Sequence, residues 1–125
     1  FIGLGQSLYF ADKDRIPEGD VWIVEGEFKA MTTFVGLDNS EIAVVGVPGA
    51  APNTEILHSL NNVGKVYLCL DPDVTPSQIQ RFVNFFRDVR LIEVPYKIDD
   101  MISAKTLSKN SLYALMKGAR RLKSR

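Results

Sequence analysis

Four short runs of apolar, largely β-branched residues punctuate the chain: Val21 to Val24, Ile42 to Val47, Val66 to Leu70 and Val89 to Val94. The first three are almost continuously apolar, as in strands covered on both faces. Between the runs the spacing lengthens. Glu27 to Val35 predicts a helix closing near Gly36, and Asn53 to Leu60 a short helix after Pro52. Thr75 to Asp88 carries the clearest signal: Thr75 suits the cap, Pro76 the first helical position, and Ile79, Phe82, Val83 and Phe86 share a face. Asp99 to Leu107 and Ser111 to Leu122 predict further helical segments, and Leu8-Tyr9-Phe10 an added edge strand.

Strands alternating with helices imply βαβ units. The expected fold is α/β: a Rossmann-type, mostly parallel sheet of about four strands with helices on both faces and right-handed crossovers. At 125 residues, 46% of them apolar and 24% charged, the chain is sized for a single domain over residues 1–125. The expected core runs over about residues 9–102, with residues 103–125 a basic helical segment. Disordered, collagen-like and rod-like classes are excluded, and no apolar run reaches the roughly 20 residues that cross a bilayer. The single cysteine, Cys69, rules out an internal disulfide framework and a multi-cysteine zinc site, and fits a reducing, cytoplasmic setting. Phe1 opening the chain leads to the expectation of a domain excised from a longer protein.

The balance of 15 acids and 15 bases hides a gradient. Every acid falls within residues 1–100, whereas residues 101–125 carry only bases: Lys105, Lys109, Lys117, Arg120, Arg121, Lys123 and Arg125. An acidic body suits cations and a basic end suits anions such as nucleic acid, with Lys117, Arg120, Arg121 and Lys123 the candidate contacts. A solvated helix, or the start of a linker, accounts for the same run of bases.

Ligands of open α/β sheets bind beyond the carboxyl ends of the strands. After Val24 come Glu25-Gly26-Glu27; after Val47, Pro48-Gly49-Ala50; after Leu70, Asp71-Pro72-Asp73; after Val94, Pro95-Tyr96-Lys97-Ile98-Asp99-Asp100. Parallel strands would bring Glu25, Asp71 and Asp73 to one edge of the domain. Grouped carboxylates stay ionised cheaply around a cation, and an oxygen-only set suits Mg²⁺ or Mn²⁺. The bland readings are a turn or cap for Asp71-Pro72-Asp73 and an ion pair between Glu25 and Lys29.

These residues resemble the Toprim domain, the catalytic domain shared by bacterial and phage-type primases, type IA and type II topoisomerases, and some nucleases and recombination proteins. The resemblance covers about Tyr9 to Ile102. Val21 to Ala30 is similar to the family's strand–Glu–Gly–helix motif, and Val45 to Ala50 to its second strand and small-residue turn. Leu68 to Asp73 is similar to the strand–Asp-x-Asp motif, and Val94 to Asp100 to the Lys-Asp turn of primase members. The Glu-Gly-Glu variant and the Lys-Asp turn bring it closest to phage-type and mobile-element primases. Two details depart from that pattern: Val74-Thr75-Pro76 follows the Asp pair, and Ile98 separates Lys97 from Asp99.

The resemblance implies a catalytic DNA primase domain that makes RNA primers on single-stranded DNA from nucleoside triphosphates by Mg²⁺-dependent nucleotidyl transfer. It implies Glu25 as general acid or base, with Asp71 and Asp73, and Glu25 itself, at the metal. Glu27, Lys29, Lys97, Asp99 and Asp100 are additional candidates. Partner modules would be a helicase or a zinc-binding domain. Three alternatives stay open: a Mg²⁺-dependent nuclease using the same carboxylates, a non-catalytic nucleic-acid-binding relative, and, more remotely, a phosphoacceptor receiver with Asp71 modified. Topoisomerase chemistry needs a catalytic tyrosine, and Tyr9, Tyr67, Tyr96 and Tyr113 lack the motif context for it.

Overall fold

The structure, a computed structural model, describes residues 9–10, 19–37, 42–48, 57, 60, 63–94 and 109–122, without the side chains at 9, 10, 27, 28 and 109. Among the described residues six strands form one sheet: β1 (Tyr9–Phe10), β2 (Val21–Glu25), β3 (Ala43–Val47), β4 (Lys65–Cys69), β5 (Asp88–Leu91) and β6 (Arg120–Leu122). Their order across the sheet is β1-β3-β2-β4-β5-β6. The four central strands run parallel, and the two edge strands pair antiparallel. The helices among the described residues are α1 (Glu27–Leu37), α2 (Pro76–Phe85) and α3 (Lys109–Lys117).

Both faces of the sheet are covered, which explains the unbroken apolar runs. On one face Val21, Ile23, Val45, Val47, Val66 and Leu68 pack with Phe82 and Val83 of α2, joined by Leu57 and Leu60. On the other, Trp22, Val24, Val44, Tyr67 and Cys69 pack with Ala30 and Leu37 of α1 and Leu112 of α3. Thr75 caps α2: its side chain accepts from the Gln78 N–H, the Gln78 side chain accepts from the Thr75 N–H, and Pro76 follows at the first position.

Four elements differ from the sequence expectation. α2 ends at Phe85 rather than Asp88, because the chain extends at Phe86 and Asp88 opens β5. α1 runs through Gly36 to Leu37, because the buried Leu37 side chain anchors one more turn in the core. β5 ends at Leu91, so Ile92, Glu93 and Val94 lie beyond its carboxyl end. The expected helix over Ser111 to Leu122 divides: α3 stops at Lys117, the chain turns at Gly118-Ala119, and Arg120–Leu122 closes the sheet edge against β5. Helix propensity gives way there to the open hydrogen-bonding edge that β5 presents. The expected helix over Asp99 to Leu107, and all of Asn53 to Leu60 except Leu57 and Leu60, lie outside the described residues.

Candidate active site at the β2 and β4 strand ends

The chain leaves β2 towards β3 on one side and leaves β4 towards β5 on the other. α1 covers one face and α2 the opposite one. The connections therefore diverge between β2 and β4, the switch point where open α/β sheets place their ligands. Val24 pairs in register with Cys69, so Glu25 is level with Leu70 and Asp71 lies one residue further on. Two acidic residues 46 positions apart in sequence end adjacent parallel strands at this one point.

Tight backbone packing fixes the Glu25 end. Gly26 takes φ 90°, a left-handed conformation that favours glycine, and its N–H donates to the Val47 carbonyl at 2.7 Å. Gly46 gives this turn its room, since a Cβ there would lie 2.5 Å from the Gly26 carbonyl oxygen and 3.2 Å from Ala30 Cβ. The β2–α1 turn thus rests on β3 at the one point where β3 has no side chain.

Asp71 is buried, with only 8% of its surface exposed. Its carbonyl accepts from the Val74 N–H at 3.0 Å, closing the Asp71-Pro72-Asp73-Val74 turn. Lys29, from the first turn of α1, brings Nζ to 3.7 Å from Asp71 Oδ2. The cation considered for Glu25 in the sequence thus reaches the Asp71 carboxylate on the neighbouring strand, where it offsets a charge that is costly to bury. Asp73 stands exposed at the turn tip. Cys69, beneath Asp71, is buried, and its thiol is pushed up to about 12 by burial and then by the Asp71 charge.

Glu25 and Asp71 fit a hard cation by chemistry, since Mg²⁺ takes oxygen donors, needs only one or two carboxylates, and keeps waters for a substrate's phosphates. They form no closed cage: among the described residues no group of three His, Cys, Asp or Glu side chains gathers to hold a metal. Glu27 opens α1, its side chain outside the described set, and Lys97, Asp99, Asp100 and Lys123 lie outside the described residues. Of the basic candidates, Lys117 closes α3, while Arg120 and Arg121 lie in the edge strand and reach acids of β5 and its extension. Arg120 is 3.7 Å from Glu93, and Arg121 is 3.5 Å from Asp88.

Glu93 was not singled out by the sequence pattern. Reading Val89 to Val94 as one strand hides it, whereas ending β5 at Leu91 moves it to the functional edge. A cleft of about 150 Å³ opens there, lined by Leu70, Asp71, Val74, Ile79, Glu93 and Val94 among others.

No protein-family model matches the sequence, and no curated protein matches it significantly. Solved structures do. A chain of the Aquifex aeolicus primase structure, with its zinc-binding and RNA polymerase domains, is 24% identical with a TM-score of 0.65, over 84% of this chain and 27% of that one. A second match is a chain from the bacteriophage T7 assembly of lagging-strand DNA polymerase with the primase domains of two gp4 subunits, bound to an RNA/DNA hybrid and dTTP. It is 14% identical with a TM-score of 0.68, over 86% of this chain and 58% of that one. The DnaG catalytic core is 15% identical with a TM-score of 0.64, over 89% of this chain and 38% of that one. The likeness establishes the fold: a Toprim-like α/β domain of the kind built into DNA primases, here spanning less than two thirds of each matched chain.

Proposed function

We propose that this domain catalyses metal-dependent nucleotidyl transfer of the DNA-primase type, joining ribonucleotides into a primer on single-stranded DNA. One observation carries the reading: Glu25 and the buried Asp71 end adjacent parallel strands at the sheet's switch point, with Lys29 against Asp71, in a fold shared with primases. Mg²⁺ or Mn²⁺ bound at Asp71, Asp73 and Glu25 would neutralise charge on the non-bridging phosphate oxygens. Lys29 holds the Asp71 carboxylate towards the edge and adds positive charge where a triphosphate would lie. Glu25, on a turn clamped by Gly26 and Gly46, accepts the proton of the attacking 3′-hydroxyl. Lys97, Asp99 and Asp100 follow the fourth parallel strand in sequence and are further phosphate or metal contacts in this reading.

The template partner is single-stranded DNA, with a helicase or zinc-binding module in the same or a partner chain. A phage or mobile-element origin is the finer form of this proposal. The likeness to the T7 assembly and the Glu25-Gly26-Glu27 sequence support it. Arg120 and Arg121 stand exposed on β6, and this basic edge, with Lys117 at the end of α3 and Lys123 next in sequence, would track the template backbone.

Calorimetry with Mg²⁺ and Mn²⁺ and template-dependent incorporation of ribonucleotides test the proposal together. Asp71→Asn/Asp73→Asn should abolish metal binding while the fold survives, and Glu25→Gln, which keeps one oxygen donor, should weaken metal binding less and lower incorporation by about 100-fold or more. Metal-dependent degradation of single-stranded DNA without incorporation would establish a nuclease instead. Absence of metal binding with a nucleoside triphosphate and DNA present would overturn the catalytic reading.

A further inference from the structure

The cleft beyond β4 and β5 has a role that the transfer mechanism does not use. Its walls are mostly apolar: Leu70 and Val74 after β4, Ile79 from α2, and Leu91, Ile92 and Val94 at the end of β5. Its two charged lining residues are both carboxylates, Asp71 and Glu93. About 150 Å³ is well below the roughly 300–1,000 Å³ of pockets that enclose a whole drug-sized ligand. A cavity of that size accommodates a single ring.

From this we infer that the cleft seats the sugar of the incoming nucleotide and that Glu93 selects ribose over deoxyribose by accepting a hydrogen bond from the 2′-hydroxyl. The inference rests on the nucleotidyl-transfer reading and assigns that site its sugar specificity. Three features converge on it. Asp71, the proposed metal residue, lines the same cleft, so the ring held there is the one next to the phosphates, and that ring is the sugar. A furanose ring has C–H faces for apolar walls and a hydroxyl edge. A carboxylate only accepts hydrogen bonds, which matches a donor hydroxyl, as acidic residues do for ribose in dinucleotide sites. Arg120, 3.7 Å from Glu93, stands outside the cleft lining and so leaves the cleft side of the carboxylate to a ligand.

The test is calorimetric titration, with Mg²⁺ present, of ATP, dATP and inorganic triphosphate into the wild type, Glu93→Ala and Val74→Phe. The wild type should bind ATP about 10- to 100-fold more tightly than dATP, the range for a hydrogen bond to a charged group. Glu93→Ala should bring ATP to the dATP affinity and leave inorganic triphosphate unchanged. Glu93 is an exposed residue beyond the strand end, so its loss leaves the core intact. Val74→Phe, which narrows the cleft, should bring both nucleotides towards inorganic triphosphate. If all three ligands bind alike, or if Glu93→Ala keeps the preference for ATP, the sugar assignment is overturned while the phosphate and metal site stands. If inorganic triphosphate and the nucleotides all fail to bind, the nucleotidyl-transfer reading falls, and the sugar assignment with it.

Discussion

Gly46 and Cys69 show how single atoms set the site. A methyl at Gly46 would press on the Gly26 carbonyl, a backbone atom that can yield only by moving the turn that carries Glu25. Gly46→Ala should therefore cost about 1–3 kcal/mol of stability, as overpacking does. It should lower incorporation well beyond what that loss of folded protein explains, because Glu25 itself is displaced. Denaturant melts beside rate measurements check this, and a variant with wild-type rate per folded molecule would show that the turn does not position Glu25. Cys69 presents the opposite case of a reactive group made inert. Its thiol, pushed up to about 12, stays protonated at neutral pH, and its exposure is 1%. A disulfide reagent should label it only in denaturant, and prompt labelling of the native protein would show that the strand end opens. At this scale the sequence was informative where chemistry repeats a pattern: Glu25 before Gly26, Asp71 and Asp73 astride Pro72, Cys69 inside an apolar run. It was silent about Lys29 pairing with Asp71 and about Gly46 receiving the Gly26 turn, because both depend on which strands become neighbours.

Among the elements, the start and the buried face of α2 were legible because their signals are local: Thr75, Pro76 and the Ile79, Phe82, Val83 spacing act within the segment, whereas its end was not, since Asp88 opens β5. The C-terminal strand was not. Nothing within Arg120-Arg121-Leu122 favours a strand over continued helix, and β5, about thirty residues earlier, supplies the partner that decides it. Charge fastens this pairing. Asp88 accepts from Arg90 at 2.8 Å and lies 3.5 Å from Arg121 across the strand pair. The hydrogen bond from Arg90, aided by the Arg90, Arg121 and Lys65 charges, holds its carboxyl below the usual range against the opposing effect of burial. A depressed folded value means that the unfolded chain takes up the proton first as pH falls. The contribution of Asp88 is therefore whole above the ordinary carboxylate value near pH 4 and is lost as pH drops through its lowered folded value. Amide exchange over residues 120–122, measured from pH 6 down to pH 3, should show β6 loosening at the acid end. Asp88→Asn should show that loosened state at every pH. Equal protection in both proteins throughout would mean that backbone pairing alone holds the edge.

At the largest scale the described residues form a sheet with two separate apolar cores, and this organisation separates stability from chemistry. The cluster containing Ile23, Leu68 and Phe82 and the cluster containing Trp22, Val24 and Leu112 lie on opposite faces and share no residue. The fold class was readable because near-continuous apolar runs demand two covered faces. Which helix covers which face was not, since that follows from the crossover of the chain over β2 to reach β4. The same crossover creates the switch point that Glu25 and Asp71 flank on adjacent strand ends, so the site and the division of the core have one topological cause. Two faces packed independently should respond independently to damage. Ile23→Val removes one methylene-equivalent from the α2 side and should cost about 0.5–1.5 kcal/mol, and Leu112→Ala on the α1 and α3 side about 2–5 kcal/mol. Because no partner is shared, the double variant should equal the sum within about 0.5 kcal/mol in urea melts. A coupling well above that would mean that strain passes through the β2 backbone from one face to the other. The strand carrying Glu25 would then be a deformable element, and core substitutions remote from the strand ends would alter catalysis as well as stability.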